Sequence, residues 1–108
     1  MNANYENDLE MPYSELELKR WGYTHWRCLL DGTVVAVAPM SISNGRLFWN
    51  VHQDGYEDFY CYDSVELAVT SMMEFDPTTQ LEPLGWHRHG STGRRRPGGD
   101  MTKEYINK

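Results

Sequence analysis

Two turn dipeptides, Asp31-Gly32 and Asn44-Gly45, restrict this chain more than any other feature. They punctuate three short runs rich in β-branched and aromatic residues between Tyr23 and His52. Asp-Gly and Asn-Gly tolerate the positive φ angles that tight two-residue hairpins demand, so the stretch predicts a three-stranded antiparallel meander. The strands are expected at about 23–30, 33–40 and 46–52. With a two-residue turn at Asp31-Gly32, Leu30 faces Thr33, Cys28 faces Val35 and Trp26 faces Val37. In the third strand Leu47, Trp49 and Val51 alternate with Arg46, Phe48, Asn50 and His52. An ideal hairpin at Asn44-Gly45 then puts Trp49 on the side of Arg27, opposite Trp26. Either both sheet faces are covered, or a bulge slips the pairing, with Pro39 the natural place because it cannot donate to the ladder.

The flanking elements follow from end signals. Tyr13 to Trp21 has Pro12 at its start, acids early, bases late and Gly22 as a stop, which favours a short helix, although Leu16 and Leu18 would also suit a strand. Phe59 to Tyr62 reads as a fourth strand. After it, Val65, Ala68, Val69, Met72 and Met73 fall at helical spacing behind an Asp63 cap with Glu66 three residues on, and Asp76-Pro77 ends the run. This helix is expected to lie across the sheet. The fold class is therefore α+β: a three- to four-stranded meander, one amphipathic helix across it, a short N-terminal helix and an extended basic C-terminal arm. The divisions are an acidic lead-in at 1–12, a compact domain at 13–82 and a Gly/Arg-rich arm at 83–108.

The order helix, three strands, helix resembles that of double-stranded-RNA-binding domains. Such a domain carries lysines at the start of its last helix, where this chain has Asp63 and Glu66, so the resemblance extends to element order alone.

Charge is unevenly distributed. Residues 1–82 hold fourteen Asp and Glu against four Lys and Arg, whereas residues 83–108 hold six bases against two acids. An acidic body joined to a basic arm is a polarised molecule. In the arm, Trp86, His87, Arg88, His89, Arg94, Arg95 and Arg96 interleave with glycines. Arginine forks suit phosphates, and Trp and His rings stack on bases, so the arm could contact nucleic acid, a protein, or the chain's own acidic body. Asp54, Tyr56, Glu57, Asp58, Tyr60 and Tyr62 combine carboxylates with the residue types that anchor interfaces. Arg27, Arg46 and Trp49 form a candidate nucleic-acid-binding sheet face.

Chemistry-bearing motifs are sparse. His87-x-His89 could chelate, with Cys28, Cys61, His25 or His52 as further ligands, but paired Cys-x-x-Cys units are missing, and neither metal nor other cofactor is expected. Cys28, Cys61, Ser64 and Ser91 sit in no nucleophile motif, and His52 with Asp54 is only a local polar couple. Two isolated cysteines suggest free thiols in a reducing compartment, with a Cys28–Cys61 bridge as the alternative. No run approaches the roughly 18 apolar residues of a membrane helix, and the N-terminus carries no signal region, so a cytoplasmic protein without membrane association is expected. These features together point to a non-enzymatic regulatory or inhibitory protein, its acidic body docking on a larger protein that plausibly handles nucleic acid, of the kind found among phage and mobile-element accessory or anti-defence proteins. The alternative is a direct nucleic-acid binder using the sheet face and the arm. A second apolar sheet face would call for homodimerisation or a docked partner.

Overall fold

A computed structural model describes residues 8–40 and 44–86. Along the chain come α1 (Glu15–Arg20), β1 (His25–Cys28), β2 (Val34–Pro39), β3 (Gly45–Trp49), β4 (Asp58–Tyr62) and α2 (Val65–Glu74). The strands form one antiparallel sheet in the order β1-β2-β3-β4, so the expected α+β meander is present with all four strands. The C-terminal arm beyond Trp86 lies outside the described residues.

The registers differ from those of ideal two-residue turns. Arg27 pairs with Val35 and Trp26 with Ala36, one residue out of the expected alignment. The cause is a three-residue loop. The Leu29 N–H donates to the Thr33 carbonyl, the Gly32 N–H donates to the Leu29 carbonyl, and Gly32 takes φ +92°. This is a turn closed by a glycine bulge, and the odd shift moves each β1 side chain to the opposite face relative to β2. At the second hairpin the Met40 N–H donates to the Asn44 carbonyl and Gly45 pairs with Pro39, so Asn44-Gly45 is not the turn centre. Two odd shifts cancel, which is why Trp49 still shares a face with Arg27 and Trp26 lies opposite. No bulge occurs at Pro39. The irregularity is at Asn50, whose φ of +56° returns Val51 to the ladder, its N–H donating to Val34, on the other face from Leu47 and Trp49.

Both faces of the sheet are covered. On one, α2 packs over Val35, Val37, Leu47, Tyr60 and Tyr62 through Ala68 and Met72. On the other, Leu18 of α1 joins Tyr23, Phe48, Val51, Tyr56 and Phe59. Phe48 is the hub of that layer, with Tyr56 at 4.6 Å and Tyr23 at 5.6 Å, both edge-on. The second cover was expected from a second copy or a docked partner; here α1, the β3–β4 loop and the N-terminal residues Met11 and Tyr13 provide it.

The helix ends follow capping chemistry. In α1 the Ser14 hydroxyl accepts from the Glu17 N–H and Glu17 reaches back to the Ser14 N–H, a full capping box. In α2 the cap is Ser64, which accepts from the Leu67 N–H at 3.1 Å, one residue after the expected Asp63. Gly45 has a packing role there. A Cβ at this position would lie 2.7 Å from Val65 Cα and 2.9 Å from the Ser64 carbonyl oxygen, so only glycine lets α2 begin this close to the sheet.

Cys28 and Cys61 are buried free thiols on the two outermost strands. Three strand spacings separate them by about 14 Å, twice the roughly 7 Å limit for Cα atoms in a disulfide. The alternative of an intramolecular bridge is therefore excluded.

Candidate protein-binding surface

The expected nucleic-acid face does not assemble, because its members are divided between the two sides of the sheet. Arg27 is 2% exposed. Its Nε and Nη2 form a fork to the Asp8 carboxylate at 2.7 and 3.0 Å, and Nη1 donates to the Met72 and Phe75 carbonyls at 2.7 and 2.8 Å. Both carbonyls lie at the end of α2, where Met72 otherwise accepts only a long bond of 3.4 Å from the Phe75 N–H, so Arg27 serves as a side-chain cap inserted from the sheet. Arg46 lies on the opposite face, 7% exposed, its guanidinium 4.9 Å above the Phe59 ring. Trp49 is half-buried, edge-on to Tyr60 and Phe75.

The acidic and aromatic group separates by residue type. Asp54 and Glu57 are exposed and Asp58 partly so, whereas Tyr56, Tyr60 and Tyr62 are buried on the two faces. The tyrosines are core residues, not anchors. Burial pushes the Tyr62 phenol up to about 12, against the smaller lowering effect of its bond to Ser71. His52 and Asp54 meet through backbone, the Asp54 N–H donating to His52 Nδ1 at 3.2 Å in the small turn closed by His52 and Gly55. Of the arm, Trp86 packs edge-on against Tyr60 at 5.7 Å. His87, Arg88, His89, Arg94, Arg95 and Arg96 lie outside the described residues.

Burial of the arginines changes the surface more than the net charge suggests. Among the described residues there are thirteen Asp and Glu and four Lys and Arg. Two of those bases, Arg27 and Arg46, are inside the protein. The other two are on α1, where Lys19 pairs with Glu15 at 2.8 Å. Nine of the carboxylates, by contrast, belong to exposed residues, including Glu10, Asp31, Asp63, Glu66 and Glu74. The outward charge of the described body is thus predominantly negative, with Lys19 and Arg20 its exposed Lys and Arg.

One cleft interrupts this acidic surface. It lies between α2 and the turn after it, holds about 240 Å³, and has Tyr62 and Phe75 at its base. Leu67 and Leu84, 52% and 68% exposed, stand among its lining. Sequence reasoning passed over both leucines. The available signal was Leu67, which falls between the positions of the α2 apolar stripe and must face away from the sheet. Among the described residues no group of three His, Cys, Asp or Glu is arranged to hold a metal ion, and no helix is long and apolar enough to cross a membrane. No family model matches the chain, and no curated protein or solved structure matches it.

Proposed function

We propose that this chain is a non-enzymatic regulatory protein that docks through its acidic body on a basic surface of a larger protein, occupying ground that nucleic acid would otherwise contact. The observation that carries this reading is the fate of the four bases in the described body: two are buried in structural roles and a third is paired on α1. What remains outward, apart from Arg20 and the paired Lys19, is a field of carboxylates on a small scaffold, complementary to a groove lined by Lys and Arg and able to accelerate encounter with it. The competing reading, direct nucleic-acid binding, needs bases on the sheet. Arg27 and Arg46 are unavailable for that, which leaves it dependent on the arm alone.

A gel shift separates the two. The full-length chain at low salt is expected to leave labelled DNA and RNA unretarded, while the immobilised chain retains partners from a host lysate that elute as salt is raised. A salt-sensitive DNA or RNA shift that disappears when Arg94, Arg95 and Arg96 are all replaced by Ala would overturn the protein-docking reading.

A further inference from the structure

The cleft beside α2 differs from the surface around it in being apolar, preformed and rimmed by acid. We propose that it seats an aliphatic side chain from a basic segment of the protein partner, an inference that rests on the docking reading above and names the chemistry of the docked segment. Leu67 on α2 and Leu84 on the following turn expose apolar surface beside a base made by Tyr62 and Phe75. Isolated exposed leucines are ordinary, but two lining one cleft form a patch that association would cover.

The cleft is held open by hydrogen bonds. The Leu84 carbonyl lies 2.7 Å from the Ser71 hydroxyl and 3.2 Å from the Tyr62 hydroxyl, and the two hydroxyl hydrogens are shared between this carbonyl and the Tyr62–Ser71 contact, which ties the turn to α2. The start of that turn is braced in its own right: the Asp76 carboxylate accepts from both the N–H and the hydroxyl of Thr78, and the Asp76 N–H donates to Gln80 Oε1. A site formed in advance loses little entropy on binding.

Size and charge select the occupant. A volume of about 240 Å³ is below the roughly 300–1,000 Å³ of cofactor and drug-sized pockets, and suits one or two side chains. Glu74 lines the cleft and Glu66 precedes Leu67 on the same helix, which carries no Lys or Arg. An incoming segment with bases flanking its aliphatic residue would match both features. A second copy of the body brings the same negative field and is repelled.

The test titrates the isotope-labelled full-length protein with two short synthetic peptides, one alternating Lys and Leu, the other Lys and Gly. The Lys–Leu peptide is expected to shift the amides of Leu67, Ser71 and Gly85 saturably and to bind about tenfold or more tighter than the Lys–Gly peptide. The exposed-site variant Leu84→Ser should abolish that difference with an unchanged melting temperature. Equal binding of both peptides overturns the cleft and leaves the acidic docking surface standing; binding of neither overturns both. Leucine-dependent shifts that emerge only after Arg94, Arg95 and Arg96 are replaced by Ala overturn the inference by assigning the cleft to the chain's own arm. Self-association of the free protein that is lost in Leu84→Ser overturns it in favour of a second copy.

Discussion

Arg27 holds together three parts of the chain that are distant in sequence: Asp8 at the N-terminal side, its own strand β1, and the last turn of α2. Its side chain is fully buried, and Asp8 is nearly so. Removing it strands the Asp8 carboxylate and the Phe75 carbonyl, and leaves Met72 only its long bond from the Phe75 N–H. Arg27→Ala is therefore expected to cost about 3–5 kcal/mol, visible as a fall in melting temperature of more than about 10 °C. Arg27→Lys should recover only part of the loss, because a single ammonium cannot reproduce a planar fork with donors on three sides. A melting temperature for Arg27→Ala within a few degrees of the parent would refute this structural role. Nothing in the local sequence His25-Trp26-Arg27-Cys28 marks the arginine as internal. Its burial depends on segments that only the folded chain brings together, which is why a basic residue on a strand reads more readily as a phosphate contact.

At the scale of elements, the meeting of α2 with β3 depends on the bare backbone of Gly45. Adding a methyl group there drives it into Val65 Cα and the Ser64 carbonyl. Gly45→Ala should destabilise by about 1–3 kcal/mol through overpacking, whereas Asn44→Ala, on an exposed side chain, stays within about 0.5 kcal/mol; denaturant unfolding of the two variants measures both. If the pair were a turn, the asparagine would matter as much as the glycine. The strands were legible because β-branched runs between turn residues leave few other choices, and α2 because its apolar spacing repeats over two turns. Register was not legible, since it hangs on how many residues Gly32 and Asn44 close over, and a single-residue difference exchanges faces. Capping was ambiguous between the adjacent Asp63 and Ser64, which offer similar acceptors. Asp54 and Glu57 were legible as exposed residues from their charge alone. The burial of the tyrosines beside them was not, because an aromatic ring satisfies a core and an interface equally well.

For the molecule as a whole, the two layers on either side of the sheet each contain a tyrosine held away from ionisation. Burial alone raises Tyr23 from 10.0 to about 12, and it is the main cause of the same rise at Tyr62. In both, the folded state disfavours the phenolate relative to the unfolded chain. Their contribution to stability is thus full below pH 10, declines as the unfolded chain ionises above that, and is gone once pH passes the folded value near 12. The melting temperature should fall across this window, and Tyr23→Phe should flatten the fall without altering stability near neutrality by more than the loss of one hydroxyl; an unchanged alkaline slope in that variant would discount Tyr23 as its source. The order β1-β2-β3-β4 has a separate consequence through Cys28 and Cys61. With one thiol at each margin of the sheet, both buried and that of Cys28 pushed up by burial and by the carboxylates of Asp8 and Asp31, oxidation has no reachable pair, and at Cys28 no ready thiolate, to act on. The folded sheet therefore offers an oxidant no intramolecular pair of thiols to close.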